Sequence, residues 1–253
     1  MKKQFILPQN IFSKILLSEL NLDDDYEIQF LPSALISKNI SEDPNSIGLI
    51  PALDILTFKD LFVSSQIGIS FNGLISNSYL HFKEGQQSIE ELFLKGDVSS
   101  NEIILSKIIF KELYDVEISP ALVATKPTEA DDNIIIIGDE NYQKGLYLNG
   151  LSFTEEIIDL IDAPYINFIL AASSENVLKD FAIKHKDSLL NGHTENYSAM
   201  FPELSSSVID FISSNIQHIV FDFEDQDLEA IKSLLQMPYL HGFIKDIIDV
   251  KFV

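Results

Sequence analysis

Asn133-Ile134-Ile135-Ile136-Ile137-Gly138-Asp139-Glu140 is the stretch on which the fold class turns. Four consecutive isoleucines offer water no polar face, so the run reads as a strand covered on both sides. Working outward, further short β-rich runs recur at Gln4–Leu7, Tyr26–Phe30, Ile47–Ile50, Gln66–Ser70, Asn77–Phe82, Ala121–Ala124, Tyr165–Leu170 and His218–Phe223. Between many of them apolar residues return at helical spacing. Ile11, Phe12, Ile15, Leu16 and Leu20 share one face, and Leu228, Ile231, Leu234 and Leu235 share another. Alternating strands and helices predict an α/β protein with mostly parallel sheets.

Helix starts are marked by side-chain oxygens. Ser88-Ile89-Glu90-Glu91 and Ser99-Ser100-Asn101-Glu102 both fit the S-x-x-E capping box. Thr154, Ser174 and Asp225 are expected N-caps, and Gly145 is expected to close a short helix begun at Asp139. Two polar breaks, Lys83–Gln87 and Ala172–Asn176, flank a compact α/β unit. They predict a discontinuous first lobe, residues 1–85 plus 174–253, and an inserted second lobe, residues 86–173. Such a layout leaves a ligand cleft between lobes.

Composition narrows the function. The chain has 253 residues, 46% hydrophobic and 22% charged, which suits a globular protein. With no cysteine, disulfides, zinc–thiolate sites, iron–sulfur clusters and cysteine nucleophiles are excluded. Acids outnumber bases 39 to 17, for a net charge of −22, and every base is lysine. That balance argues against nucleic acid and against docking on an anionic membrane. Bidentate arginine clamps for carboxylate or phosphate are impossible here. No apolar run reaches the ~20 residues of a membrane span. Pro8-Gln9-Asn10 interrupts the apolar start before a signal peptide is complete, so a cytoplasmic location is expected. Charge leaves the assembly state open between monomer and homodimer.

Several stretches are candidate sites, each with a structural reading beside the functional one. Val98-Ser99-Ser100-Asn101-Glu102 opens a helix, whose free N–H groups could hold a carboxylate without arginine. The commoner reading of such a stretch is a box serving only its own helix. Ser70, Asn72 and Gly73 follow a strand, either as ligand donors at the carboxyl edge of the sheet or as a plain Asn-Gly turn. Asn10 is an N-cap or a cleft amide. Gly138 and Asp139 close the isoleucine strand, where Asp139 caps the next helix or serves as a general base. The histidines His81, His185, His193, His218 and His241 show no metal spacing, and Asp23-Asp24-Asp25 lacks the rest of a calcium loop. No nucleophile elbow, Walker loop or dinucleotide fingerprint occurs.

Taken in order, these stretches resemble the futalosine-route menaquinone-biosynthesis family, most closely its chorismate dehydratases. Ile47-Gly48-Leu49-Ile50-Pro51-Ala52-Leu53-Asp54 is similar to the family's ALIPSxEY, and Gly68-Ile69-Ser70-Phe71-Asn72-Gly73 to its GIxSDG. Ser88-Ile89-Glu90-Glu91-Leu92 follows at the family's distance. Ser99-Ser100-Asn101 through Leu113-Tyr114 is similar to SxTS with a following LLxxxY, and Ile134 to Glu140 to LLIGDEAL. Asp159-Leu160 with Ala163-Pro164-Tyr165 resembles DLGxxWxxxTGLPF. The sequence departs from the family where VSYLN leaves only Asn10, where Ala52 replaces serine, where Asn72 replaces aspartate and where Asn101 replaces serine.

The resemblance implies a two-lobed fold like type II periplasmic binding proteins, with no cofactor and no metal. It implies a hydro-lyase that removes water from chorismate to give 3-(1-carboxyvinyloxy)benzoate. Asn10, Ser70 and Asp139 are then the expected catalytic residues. Asn72, Gly73, Ser99, Ser100, Asn101 and Gly138 are the expected substrate contacts, with Lys83 or Lys126 as counter-charge to the dianion. The rival expectation is a non-catalytic binding protein of the same fold for a small carboxylate. A periplasmic solute-binding protein is a third.

Overall fold

The computed structural model describes residues 2–20, 22–85, 88–89, 91–123, 132–189 and 196–253. The chain opens with β1 (Lys3–Pro8), α1 (Ile11–Leu20), β2 (Tyr26–Leu31), α2 (Ser33–Glu42) and β3 (Ser46–Pro51). A 3-10 turn (Ala52–Leu56) leads to β4 (Phe62–Phe71). Then come β5 (Ser78–His81), β6 (Phe93–Gly96), α3 (Ser100–Tyr114), β7 (Ala121–Leu122), β8 (Ile134–Ile137), α4 (Glu140–Gln143) and β9 (Leu151–Ser152). The chain closes with α5 (Phe153–Ile161), β10 (Tyr165–Ala172), α6 (Glu175–Leu189), α7 (Tyr197–Met200), α8 (Ser206–Asn215), β11 (Ile219–Asp222), α9 (Asp225–Leu240) and β12 (Lys251–Phe252).

Two sheets result, one per lobe. The first runs β11-β4-β10-β3-β1-β2, with β12 also on β4, and the second β7-β6-β8-β5-β9. The four isoleucines of β8 are buried, as a strand covered on both faces requires. The apolar faces foreseen for α1 and α9 point inward, with Ile11, Phe12, Ile15, Leu16, Leu20, Ile231, Leu234 and Leu235 all buried. Phe181 of α6 stacks on Phe5 of β1 at 5.1 Å between ring centres, fixing that helix on the first sheet.

Three expectations need correction. The sheets are mixed, not mostly parallel. β1 is parallel to β2 and β3, but β10 is antiparallel to both β3 and β4. In the second sheet β6 is parallel to β7 and β8, whereas β5 is antiparallel to β8 and β9. The cause lies in the connections, since β10 re-enters the first sheet from the far lobe instead of through a local crossover helix. The strand partition also moves. β5, expected in the first lobe, pairs in the second sheet, and β10, expected in the insert, pairs in the first. The polar breaks therefore do not mark the crossovers: residues 83–85 follow β5 within the second lobe, and Ser173 and Ser174 join β10 to α6 within the first. Finally, no helix starts at Ser88, because residues 91–92 lead straight into β6; Glu90 itself lies outside the described residues.

Other starts shift by one or two residues. Ser152, not Thr154, caps α5 through Glu155 N, and Glu224 precedes Asp225 at α9. Ser174 does sit before α6, and Gly145, with φ +68°, follows α4 as foreseen. Among the described residues no helix is long and apolar enough to cross a membrane.

Candidate functional site

β3 and β4 are both antiparallel to β10, so they run the same way as β1 and β2. The carboxyl ends of four strands and the start of β10 therefore share one edge of the first sheet. This is the edge where open α/β sheets bind ligands. Pro8, Pro32 and Pro51 stand at the ends of β1, β2 and β3. Each helix or turn that follows begins at this edge, so its first N–H groups face outward, unsatisfied by its own backbone.

The second sheet meets this edge. The side chains after β6 and β8 cross to the N-termini of the first lobe. Asp139 Oδ1 accepts from Ile11 N at 2.8 Å, at the start of α1. Asp97 Oδ1 accepts from Ser33 N at 2.8 Å, and Ser33 Oγ donates to Asp97 Oδ2 at 2.5 Å, at the start of α2. Asn101 Oδ1 accepts from Leu53 N at 3.0 Å, in the 3-10 turn. Asn101 Nδ2 donates to the Asn167 carbonyl at 2.7 Å and to Asn167 Oδ1 at 3.0 Å. Aromatic rings close the same seam. Phe12 packs edge-on to Tyr142 at 5.8 Å, and Tyr147 lies 4.4 Å from Phe211.

Each sequence-derived candidate now has a place. Asn10 caps α1 by accepting from Ser13 N at 2.8 Å, while its buried Nδ2 has no protein partner. Ser70 Oγ is likewise fully buried without a protein partner, one residue from the end of β4. Asp139 makes no side-chain bond to α4, contrary to the expected cap; its carboxylate serves α1 instead. Gly138, with φ +94°, turns the backbone so that Asp139 reaches across.

Ser99, Ser100 and Asn101 do open α3, and the capping box is complete. Ser99 N and Ser99 Oγ both donate to Glu102 Oε2, at 3.0 and 2.7 Å, so the carboxylate at this helix start is the chain's own. Ser100 lies beside the Asp54 carboxyl, which also accepts from Ser37 Oγ.

Asn72 and Gly73 are not in the seam. Asn72 is exposed, its N–H donating to the His218 carbonyl at 2.8 Å, and Gly73 packs on His218. Lys83 follows β5, which runs antiparallel to β8, so it sits at the end of the second sheet remote from Asp139. Lys126 lies outside the described residues. A cation at the edge is Lys14, 3.9 Å from Asp139 Oδ2.

The seam is acidic, and burial governs it. Burial pushes the Asp139 carboxyl above its ordinary range, against the opposing pull of Ile11 N–H and Lys14. Burial likewise raises Asp97 against Ser33, Glu102 against Ser99, and Asp54 against Ser100 and Ser37. Carboxyl groups of this kind can hold a proton nearer neutrality than free ones. Among the described residues no group of three His, Asp or Glu is arranged to hold a metal ion.

Sequence reading missed Asp97 and Asn167. Asp97 carries a signal, because Gly96-Asp97 at the end of β6 repeats Gly138-Asp139 at the end of β8, both glycines at positive φ (+105° and +94°). β6 itself is four residues long with a lysine in it, too weak a run to register as a strand.

Comparison with known proteins bears on fold. No family profile and no curated protein matches the sequence. Among solved structures, protein AF1704 from Archaeoglobus fulgidus superposes with a TM-score of 0.63 at 10% identity, over 96% of this chain and 98% of that one. The periplasmic aliphatic sulphonate binding protein SsuA from Escherichia coli gives 0.58 at 11% identity, over 99% and 90%. The alkanesulfonate-binding protein SsuA from Xanthomonas axonopodis pv. citri, bound to MOPS, gives 0.57 at 9% identity, over 100% and 98%. At such identities the likeness is one of fold, and the chain has the two-lobed mixed α/β fold of periplasmic-binding-like proteins.

Proposed function

We propose that this chain binds a small organic molecule in the seam between its lobes, through neutral oxygen atoms of the ligand. The observation that carries this is a set of buried donors without protein partners. Asn10 Nδ2, Ser70 Oγ and Asn167 Nδ2 all belong to residues with 0% exposure, and all sit at one edge of the first sheet. Stranding a buried donor costs about 1–3 kcal/mol, so three at a ligand-binding edge call for an explanation. A ligand presenting carbonyl or hydroxyl oxygens satisfies them. β4 and β1 are separated by β10 and β3, which puts the Ser70 and Asn10 ends roughly 14 Å apart at ~4.8 Å per strand. One small molecule can touch both only if it lies along the edge.

Charge selects against anions. Asp54, Asp97, Glu102 and Asp139 line the seam in a chain without arginine. The narrower reading, dehydration of chorismate, draws on the sequence resemblance and on the buried Ser70 and Asn10. In it Asp139 takes a ring proton and Ser70 assists departure of hydroxide. A dianion would have to be held against that acidic lining.

One experiment separates the readings. Saturation-transfer NMR with a panel of neutral hydroxylated and carbonyl compounds, plus chorismate, is run on the native chain, Ser70→Ala and Asn10→Ala. The chorismate sample is then analysed by liquid chromatography with mass detection. The proposal expects saturable binding of a neutral compound, weakened in both variants, and unchanged chorismate. Dehydrated aromatic ether, lost in the variants, establishes the lyase instead. A folded protein that binds no member of the panel overturns the binding reading.

A further inference from the structure

Proline cannot cap a helix with its side chain, because it carries no oxygen there. Pro32 and Pro51 nevertheless occupy the N-cap positions of α2 and the 3-10 turn, and neither makes a side-chain cap bond. The acceptors come from the other lobe, Asp97 for Ser33 N and Asn101 for Leu53 N. α1 follows the same plan. Asn10 serves Ser13 N, and Asp139 takes Ile11 N from across the seam.

The two aspartates are delivered alike. β6 and β8 are neighbouring parallel strands, Gly96 stands beside Ile137, and each strand passes into a glycine at positive φ followed by aspartate. Helix N-termini with free N–H groups are where anionic ligand groups bind. Here each such position on α1 and α2 is filled by a carboxylate of the same chain. Contacts between rings of the two lobes, Phe12 with Tyr142 and Phe211 with Tyr147, hold the same closed arrangement.

We propose that Asp97 and Asp139 are built-in substitutes for a ligand's anionic group: they latch the two lobes together from within the chain, and they bar carboxylates and sulfonates from the N-termini of α1 and α2. The latch stands on contacts within the chain and does not depend on the seam ligand proposed above. Its consequence for that ligand is specificity, since an anion must displace an aspartate before it can bind there.

The test is chemical rescue by acetate, the side chain that Asp→Ala removes. Asp97→Ala and Asp139→Ala are compared with the native chain in sodium acetate and in sodium chloride at matched ionic strength and neutral pH. Loss of one cap is expected to lower the melting temperature by roughly 2–8 °C. Acetate should restore it saturably in the variants and leave the native chain unmoved. Amide exchange gives a readout that a general loss of packing does not reproduce. The Ile11 amide in Asp139→Ala and the Ser33 amide in Asp97→Ala should exchange at least tenfold faster than in the native chain, and slow again in acetate. Asp97→Asn and Asp139→Asn retain an acceptor oxygen and should keep both amides protected. The proposal is overturned if those amides exchange equally in the native chain and the alanine variants, if acetate stabilises the native chain as much as the variants, or if the asparagine variants lose protection. No seam ligand enters the test, so its failure leaves the binding reading untouched.

Discussion

Replacing Asn101 by alanine removes the one amide that ties the start of α3 to two elements of the first lobe. Its Oδ1 accepts from Leu53 N at 3.0 Å, and its Nδ2 donates to the Asn167 carbonyl at 2.7 Å and to Asn167 Oδ1 at 3.0 Å. Asn101 has 0% exposure, so water cannot take over these bonds without opening the seam. Asn167 Oδ1 retains a donor in the Tyr165 hydroxyl at 3.3 Å, which leaves Leu53 N–H and the Asn167 carbonyl to bear most of the loss. At about 1–3 kcal/mol for each stranded group, plus a small cavity, the cost is about 3–5 kcal/mol. For a chain of this size that corresponds to roughly 6–20 °C in melting temperature. The matched control is Asn39→Ala. Asn39 makes a comparable amide bond to the Leu35 carbonyl at 2.7 Å, but on the exposed surface of α2, so its loss costs under about 0.5 kcal/mol. Urea unfolding of both variants and the native chain measures the difference. A loss below about 1 kcal/mol for Asn101→Ala, or one equal to that of Asn39→Ala, refutes the reasoning that the seam is dry and held by specific bonds.

Three further predictions are independent of this one. Asp54, Asp97, Glu102 and Asp139 all have carboxyls raised by burial. Ionising them therefore costs the folded state, so the stability linked to their protonation is full below the ordinary carboxylate range and is lost as pH rises through their raised values, while their oxygens accept the cap N–H bonds in either form. Urea midpoints should be higher near pH 5 than near pH 8, and Glu102→Gln should flatten that slope. Gly96→Ala places a Cβ 2.0 Å from the Ile137 carbonyl oxygen at φ +105°, and should cost about 3–5 kcal/mol in urea unfolding. Gly85→Ala, at φ +68° with nothing within 4 Å, should cost only about 1–2 kcal/mol. Asn10→Asp keeps the Oδ1 that accepts from Ser13 N and removes the unpartnered Nδ2, so the cap survives while binding of any seam ligand weakens. Circular dichroism melts and the NMR panel report the two effects separately.

The parts of the fold that depend on local sequence were legible in it. The isoleucines of β8 and the apolar stripe of α1 announce burial without reference to any partner, because transfer from water is proportional to area and needs no direction. The capping box at Ser99 is equally local, its partners lying within three residues. What could not be read is which strand lies beside which. β10 sits between β3 and β4 because the chain returns from the second sheet, and no residue of Tyr165–Ala172 encodes that order.

The site divides in the same way. Asn10 and Asp139 were expected to cap the helices that follow them, and for Asn10 this holds. Asp139 instead caps a helix that begins 128 residues earlier in the chain, and Asp97 one that begins 64 residues earlier. A carboxylate at a strand end advertises that it will accept an N–H, but only the assembled lobes decide whose. Ser70 and Asn10, which the sequence offers as ligand donors, are buried at the edge, whereas Asn72 follows its local preference for a turn and stays in solvent.

In the latch proposed above, the lobes are held together by their own side chains. Because the chain has no cysteine, spin labels can be placed without background. Leu35 on α2 is 49% exposed and Leu148, after α4 in the second lobe, is 72% exposed, so Leu35→Cys and Leu148→Cys report the separation of the lobes without touching the seam. Double electron–electron resonance on the ligand-free protein should give a single narrow distance, which broadens and lengthens when Asp97→Ala and Asp139→Ala are added and narrows again in acetate. A broad or two-peaked distribution in the ligand-free protein with both aspartates intact contradicts the account.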